Sequence, residues 1–261
     1  CGLRAFSKDA FERLDLRASG WEFNSEMIAR ASLMRMRITE VPTTLAPDGR
    51  QLVVALDVYV DCADLACTKK RLDDRAADKS SGKHFDALFI RHWDEWSDGR
   101  RSQLFIADLD ADGVSASDAR RVTSDITGDV PSRPFGGDEE YAFATDGRTL
   151  YFTVRIPGHT EPWSTNFDVY AVATDGSSAP RNLTAGNPAW DAYPLPSRDG
   201  SKLYYLAMKR PGFESDRYGI MELDLATGRV TLRSGQRDDT LLFDGKVLRT
   251  VHGPRYRLLL I

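Results

Sequence analysis

Three consecutive carboxylates, Asp138, Glu139 and Glu140, stand directly before a strand-like run in the stretch GGDEEYAF. A pair of carboxylates is suited to hold an ammonium group, because each oxygen can accept a charge-assisted hydrogen bond. Acidic residues are also ordinary in a turn that precedes a strand. Two interpretations of Glu139 and Glu140 therefore stay open at this point, a cation-binding pair or a solvated turn.

Two of the three cysteines, Cys62 and Cys67, lie close together in the stretch DCADLACTKK, and Cys1 stands apart. The pair is either a local disulfide or two reduced thiols in a loop. A disulfide favours a periplasmic or secreted protein, and reduced thiols favour a cytoplasmic one. No second pair of Cys or His stands at zinc-ligand spacing, so no metal site is predicted.

No residue of the chain is predicted to be catalytic. A serine nucleophile on a strand-to-helix turn has the pattern G-x-S-x-G, which the sequence lacks. The Asp-x-Asp stretch DLDAD (108–112) is predicted to be a turn between strands. We expect no cofactor, and we interpret the histidines as hydrogen-bonded or solvated structural residues: His84, His92, His159 and His252.

Composition narrows the class of protein. The 261 residues are 41% hydrophobic and 10% aromatic, which is typical of a globular chain with a sizeable core. The net charge is −4 with both signs mixed along the chain, which argues against nucleic-acid binding. No apolar run approaches the roughly 20 residues that span a bilayer, so no membrane segment is predicted. The start at Cys1 without Met is expected of a piece of a longer protein.

Asp-Gly turns introduce strand-like runs at four places: DGRQLVVAL (48–56), DGRTLYFTV (146–154), DGSKLYYLAM (199–208) and a weaker DGKVLRTV (244–251). A period of about 45 residues with several short strands is typical of propeller blades, since one four-stranded sheet cannot cover both of its apolar faces alone. The sequence predicts a mainly β protein, a partial β-propeller of about four blades. The gap between Asp48 and Asp146 is long enough for two blades.

Aromatic residues are assigned mainly to packing between these blades. Tyr151, Phe152, Tyr204 and Tyr205 lie in the strand-like runs and suit blade-to-blade contacts. A second cluster, Phe85, Phe89, Trp93 and Trp96, either lines a substrate entrance or, as we prefer, forms core between blades. Arg91 and Asp94 are interpreted as a structural ion pair.

Residues 1–49 follow a different pattern. Ser7 can cap a helix that begins at Lys8, and Asn24 or Ser25 can cap a second helix. The stretch MRITEVP (36–42) is predicted to be a short strand ended by Pro42. Helix, helix and strand in this order indicate a short α/β fragment, followed by a propeller segment over residues 50–261.

Residues 50 to about 230 resemble the propeller of the prolyl oligopeptidase family of serine peptidases, of the dipeptidyl or acylaminoacyl peptidase type. The resemblance rests mainly on KHFDALFIRHWDEWSDGRRSQLF (83–105) and GDVPSRPFGGDEEYAFATDGRTLYF (128–152), and on the stretch from Pro180 to Gly228. It implies a non-catalytic domain that gates and holds peptide substrates for a separate α/β-hydrolase domain, which this chain lacks. Some members bind the free amino terminus of the substrate with paired glutamates, which implies that role for Glu139 and Glu140.

The stretches CGLRAF, WEFNSEMIARA and MRITEVPTTLAPDGR resemble the end of the catalytic domain of bacterial family-two glycosyltransferases. The two resemblances meet at the turn Pro47–Arg50, which we interpret as the join of two unrelated fragments. The leading hypothesis is a peptidase propeller portion fused to a glycosyltransferase-like fragment, with no turnover of its own. A glycosyltransferase fragment and a stand-alone β-propeller binding module are the alternatives.

Overall fold

A computed structural model describes residues 8–17, 22–36, 43–85, 90–92, 95–110, 119–133, 136–156, 158–233, 240–243, 246–250 and 258–260. The chain divides into two compact units, residues 1–43 and residues 44–261. Helices in the described ranges are too short or too polar to cross a bilayer.

The first unit contains two helices, α1 (Lys8–Leu14) and α2 (Glu22–Leu33). They bury Leu14, Met27 and Ala31 against one another. The predicted cap at Asn24 or Ser25 is wrong, because α2 already begins at Glu22 and both residues lie in its first turn. Helix propensities of such polar residues fall short of Ala by well under ~1 kcal/mol, so one turn tolerates them. Ser7 and most of the predicted strand 36–42 lie outside the described residues.

The second unit begins with a four-stranded antiparallel sheet, sheet 1, in the order β1–β2–β5–β6. A long connection between β2 and β5 carries a helix and a separate two-stranded hairpin. In chain order these elements are β1 (Thr43–Leu45), β2 (Gln51–Val58), α3 (Leu65–Ala77), β3 (Arg91–His92), β4 (Glu95–Trp96), β5 (Arg101–Asp108) and β6 (Arg120–Arg121).

The expectation of two blades between Asp48 and Asp146 is wrong in the described residues, which form one sheet with an insertion. β2 pairs with β5 over its whole length, from Gln51 opposite Asp108 to Val58 opposite Arg101. Residues 59–100 therefore leave the sheet and return to it. Strand-like composition alone does not distinguish such an insertion from a further blade.

Sheets 2 and 3 repeat the same architecture without an insertion. Sheet 2 has the order β7–β8–β9–β10 and sheet 3 has the order β11–β12–β13–β14. Their strands are β7 (Tyr141–Phe143), β8 (Thr149–Val154), β9 (Asp168–Ala173), β10 (Arg181–Asn182), β11 (Asp191–Pro196), β12 (Lys202–Ala207), β13 (Gly219–Asp224) and β14 (Val230–Leu232). A fourth sheet has three strands, β15 (Thr240–Phe243), β16 (Lys246–Thr250) and β17 (Leu258–Leu260).

One turn geometry recurs in the first three sheets. A side-chain oxygen of Asp48, Asp146 or Asp199 accepts a hydrogen bond from the amide two residues further on, at 2.9 to 3.0 Å. The glycine that follows each aspartate has a φ of +69° to +72°, which only glycine adopts at little cost. The turn at Pro47–Arg50 thus lies inside a hairpin between β1 and β2, with both strands in sheet 1.

The sheets pack face to face through their central strands. Phe152 of β8 is buried with Val53, Leu104 and Ile106 of sheet 1. Tyr151, its neighbour on the opposite face of β8, is buried with Tyr205 and Leu203 of sheet 3. The second unit is therefore a partial β-propeller with three four-stranded blades and a three-stranded fourth sheet, as the repeats predict. Tyr204 differs from the expected packing role, since its hydroxyl donates to Glu222 at 3.0 Å.

A disulfide joins Cys62 and Cys67 where the insertion leaves β2. The Asp64 side chain caps α3 by accepting from the Cys67 amide at 2.7 Å. The Thr68 hydroxyl, buried in the same turn, accepts from the Tyr59 amide at 3.3 Å. The cross-link, the cap and this hydrogen bond together fasten the start of α3 to the end of β2.

Candidate functional site

A cleft of about 850 Å³ lies within the second unit. Its walls come from strands of sheets 1 and 3, from the segments that flank the strands of sheet 2, and from the insertion between β2 and β5. The described residues that line it include six basic side chains, Lys83, Arg91, Arg100, Arg101, Arg133 and Arg155. They also include six acidic ones, Asp57, Asp98, Asp129, Glu140, Glu161 and Glu214.

Of the three adjacent carboxylates at 138–140, only Glu140 lines this cleft. It ends a single 3-10 turn, Asp138–Glu140, just before β7, and is only 3% exposed. Ser132 donates to its carboxylate twice, from the amide at 2.6 Å and from the hydroxyl at 2.7 Å. Burial raises the pKa of Glu140 to about 7, and the nearby charge of Glu139 adds to this. Glu140 therefore changes its charge near neutral pH.

The structure separates the two predicted binding glutamates. Glu139 is exposed and lies outside the residues that line the cleft, whereas Glu140 lines it. Asp138 is also exposed. A Cβ placed on Gly136 would stand 2.5 Å from the Glu140 Oε2 atom, so the absence of a side chain at Gly136 makes room for the Glu140 carboxylate.

A charged network in the cleft wall connects sheet 1 with the segment that follows β8 in sheet 2. Arg101, the first residue of β5, forms two parallel hydrogen bonds of 3.0 Å with Glu161, which lies between β8 and β9. Its Nη1 atom also donates to Asp129 at 2.7 Å. Arg133 pairs with Asp57 and approaches Asp129 at 3.6 Å. These groups neutralise one another and hold the cleft wall.

Arg155 follows β8 and presents a partly buried guanidinium to the cleft. Its Nη1 atom donates to the Ser164 carbonyl oxygen at 2.7 Å. The guanidinium carbon lies 4.9 Å from the centre of the Phe167 ring, which in turn stacks on Trp190 with ring centres 4.4 Å apart. Burial lowers the pKa of Arg155 from its ordinary value.

Tyr193 lines the same cleft from an irregular part of β11. Its φ is +59°, which is rare for a residue with a side chain. The pairing of β11 with β12 shifts register between Ala192 and Leu195, and Tyr193 lies in that shift. Backbone conformations of this kind cluster at functional sites. Burial raises the pKa of Tyr193 to about 12, and the charges of Glu140 and Glu139 contribute.

Trp96 forms a wall of the cleft on the insertion and is 49% exposed, so the prediction that it belongs to the core between blades is wrong. Its ring stacks on Phe85 with centres 5.9 Å apart. Lys83 and Arg91 lie over it at 5.8 and 5.4 Å. Phe89, Trp93 and Asp94 lie outside the described residues.

Two buried aspartates stand next to the aromatic part of the cleft. Asp191 follows Trp190, is 0% exposed, and accepts from the Asn187 side chain at 2.8 Å through one oxygen. Its other oxygen is buried and makes no hydrogen bond of good geometry with the described residues. Burial raises the pKa of Asp191 to about 7, and Asp168 raises it further through its charge.

The remaining predictions have simple outcomes in the described residues. His84 and His159 are exposed, and the His92 side chain and His252 lie outside the described part. No group of three potential metal ligands occurs among the described residues. Sequence reasoning missed Arg101, Arg155, Trp190 and Tyr193, because their positions in the chain show no local motif and only the stacking of sheets brings them together.

Comparison with known proteins gives sequence relatives that include dipeptidyl-peptidases. No protein-family model matches the chain. The chain is 29% identical to dipeptidyl-peptidase 5 of Porphyromonas gingivalis over 187 residues, which cover 71% of this chain and 26% of that protein. It is 29% identical to a probable dipeptidyl-peptidase 5 of Emericella nidulans over 163 residues, 58% of this chain and 23% of that protein. The chain thus spans about a quarter of the length of these relatives.

The solved structures that match the chain are more distant in sequence. A putative TolB from Agrobacterium tumefaciens matches 82% of this chain and 54% of its own, with a TM-score of 0.45 and 13% identity. A puromycin hydrolase matches 82% of this chain and 34% of its own, with a TM-score of 0.29 and 14% identity. The similarities to dipeptidyl-peptidases support the peptidase resemblance, and none of these findings supports the glycosyltransferase resemblance of residues 1–49.

Proposed function

We propose that this chain is the non-catalytic propeller portion of a serine exopeptidase, and that it gates and holds peptide substrates for a hydrolase domain. The observation that carries the proposal is the similarity to dipeptidyl-peptidase 5 over 71% of the chain. The partial propeller gives it a structural basis. A cleft of about 850 Å³ also falls in the range of about 300–1,000 Å³ typical of small-ligand sites.

Glu140, with Glu139 beside it, is the proposed acceptor for the free amino terminus of the peptide. An ionised, enclosed carboxylate attracts an ammonium group more strongly than one in open water, because the local dielectric is lower. Ser132 fixes the orientation of the Glu140 side chain through two hydrogen bonds. Glu139, in the middle of the turn Asp138–Glu140, adds negative charge without lining the cleft.

Catalysis is assigned to a partner domain of the α/β-hydrolase type. The purified chain is expected to hydrolyse no dipeptidyl-naphthylamide, because it carries no serine nucleophile pattern. Release of naphthylamine by the chain would contradict this division of labour. Assignment of residues 1–49 to a glycosyltransferase-like fragment, fused to a propeller segment at 50–261, stays a prediction.

Calorimetric titration of the chain with a tetrapeptide amide tests the role of Glu140. We expect N-acetylation of the peptide to weaken binding about tenfold or more, since a charge-assisted hydrogen bond is worth about 1.5–3 kcal/mol. Glu140→Gln should remove this difference, and Glu139→Gln should reduce it less. Gln can keep both Ser132 contacts by turning its amide, so the local fold is preserved.

Asp125→Asn is the matched control, because Asp125 is an exposed carboxylate outside the cleft. Its affinity for both peptides should equal that of the unmodified chain. The affinity for the free peptide should also rise between pH 6 and 7.5 as Glu140 ionises. Equal binding of the free and acetylated peptides would refute the proposed role of Glu140.

A further inference from the structure

We propose that Arg155 forms a subsite in the cleft for a carboxylate of the bound peptide, either an acidic side chain or the carboxyl terminus. This inference rests on the proposed peptide-holding function and names a chemical preference of the same cleft. It would make the propeller portion select among peptides as well as hold them.

Arg155 differs from most other arginines of the cleft in its ion pairing. Arg101 is neutralised by Asp129 and Glu161, Arg133 by Asp57, and Arg100 by Asp98. No carboxylate of the described residues lies within ion-pair distance of Arg155. Lys83 and Arg91 are exposed and lie over Trp96, where water already solvates their charges. Arg155 is partly buried, so water solvates its charge less than it solvates those of Lys83 and Arg91.

The hydrogen-bonding capacity of Arg155 is also largely unused within the described part of the chain. A guanidinium has five N–H donors and no acceptor. The hydrogen bond from Nη1 to the Ser164 carbonyl oxygen accounts for one of them. A carboxylate matches the planar fork of the remaining donors and would also neutralise the charge.

Neighbouring acids do not satisfy this role. Glu161, Glu214 and Asp129 act on Arg155 through longer-range electrostatics, and Arg101 opposes them. Both oxygens of Glu161 are already bound by the parallel Arg101 donors. These acidic charges stabilise the guanidinium without contacting it, and a ligand carboxylate can still do so.

The surroundings of Arg155 fix it in place before any ligand arrives. Gly128 restrains the main chain at Arg155, since a Cβ on Gly128 would stand 2.2 Å from the Arg155 carbonyl oxygen. The guanidinium itself lies over the Phe167 ring, which is stacked on Trp190. A fixed guanidinium loses little side-chain entropy on binding, which favours affinity.

A set of matched peptides tests the subsite on the full chain. Each tetrapeptide has a free amino terminus, a carboxamide end, and either Gln or Glu at one position. One further neutral peptide ends in a free carboxylate, which separates a side-chain source from a terminal source. Titrations use the unmodified chain, Arg155→Gln and Arg155→Lys. Arg229→Gln is the control, because Arg229 lies in an exposed turn outside the cleft.

We expect at least one carboxylate peptide to bind about tenfold more tightly than its neutral match. Arg155→Gln should reduce that preference below twofold. Arg155→Lys should keep part of the preference, since it retains the charge but loses the fork. Arg229→Gln should behave like the unmodified chain. Absence of any carboxylate preference, or a preference that survives Arg155→Gln, would overturn the proposal.

A second probe separates this inference from the proposed function. N-acetylglutamate α-amide and N-acetylglutamine α-amide are added to chain labelled with 5-fluorotryptophan, with the Trp190 signal assigned through Trp190→Phe. An Arg155-dependent shift with the glutamate compound alone, without peptide binding, would support the subsite and refute peptide holding. Peptide binding without carboxylate preference would support peptide holding and refute the Arg155 subsite. No response to either probe would refute both.

Discussion

At the scale of single residues, two carboxyl groups in the described part of the second unit bind protons far more tightly than usual. Burial raises the pKa of both Glu140 and Asp191 to about 7. The folded state therefore keeps protons that the unfolded state releases near pH 4. Stability from these groups is complete below pH 4 and is lost as the pH rises towards 7.

Asp191→Asn should remove the larger part of this pH dependence, because Asn has a similar shape and no charge. Urea unfolding should show the variant gaining stability relative to the unmodified chain between pH 4.5 and pH 8. The relative gain is on the order of 3 kcal/mol. Asp125→Asn, at an exposed carboxylate, should show no such gain. An equal difference between Asp191→Asn and the unmodified chain at both pH values would contradict the assignment.

Individual residue types predicted only part of the cleft. The carboxylates at 138–140 were visible in the sequence because they are adjacent, and Glu140 does line the cleft. Burial of Glu140 against Ser132 was not visible, since the contact depends on the path of residues 132–140. No local sequence pattern marked Arg155 or Trp190 as cleft residues. Arg155 follows β8 and Trp190 precedes β11, and these strands belong to different sheets.

At the scale of elements, the close approach of Gly128 to the end of β8 positions Arg155. Gln103, which is buried in β5, donates to the Gly128 carbonyl oxygen at 2.8 Å and holds this connection against sheet 1. A Cβ on Gly128 would stand 2.2 Å from the Arg155 carbonyl oxygen and 2.6 Å from the Val154 side chain. One of the two segments would have to move.

Gly128→Ala should therefore lower the free energy of unfolding by about 1–3 kcal/mol, as overpacking does in other interiors. Gly186→Ala is the control, because a Cβ there would meet no atom within 4 Å. Its effect should stay within about 0.5 kcal/mol. Urea unfolding at constant pH measures both variants. Equal stability of the two variants would show that the β8 end adapts freely.

Most strands of the second unit could be predicted, and the insertion could not. Asp-Gly turns and alternating apolar residues gave β2, β8 and β12, because turn geometry and side-chain alternation are local properties. Helix α3 and the hairpin β3–β4 occupy the length of a blade without its repeats. Because the insertion is about as long as a blade, chain length alone suggested two blades between Asp48 and Asp146.

At the scale of the whole second unit, the Arg101–Glu161 pair joins sheet 1 to the connection that follows β8 in sheet 2. Glu161 is 5% exposed, and its two hydrogen bonds with Arg101 are parallel. Enclosed pairs of this geometry couple their partners more strongly than surface pairs do. The pair should therefore contribute to cohesion between blades.

A double-mutant cycle measures this contribution. Arg101→Gln, Glu161→Gln and the double variant should give a coupling free energy of about 1–3 kcal/mol in urea unfolding. The exposed pair Lys69–Asp73 on α3 provides a matched cycle, with expected coupling below about 0.5 kcal/mol. Similar values for both cycles would mean that the Arg101–Glu161 pair does not join the sheets energetically.

The propeller class was predictable at this scale, because each four-stranded sheet has two apolar faces that it must bury against neighbouring sheets. Phe152 and Tyr151 face neighbouring sheets on opposite sides of β8, as alternation along a strand requires. The join at Pro47–Arg50 was drawn from resemblance alone. Physical contacts place that turn within one hairpin of sheet 1, since hydrogen bonding between β1 and β2 does not depend on ancestry.

The insertion between β2 and β5 affects the order in which the blades form during folding. In sheets 2 and 3 the longest connection between paired strands is residues 155–167, so less chain entropy is lost before contacts form than in sheet 1. In sheet 1, the partners β2 and β5 must find each other across residues 59–100. Non-local pairing is slow, so during refolding the amides of β8 and β12 should gain protection from hydrogen exchange before those of β2.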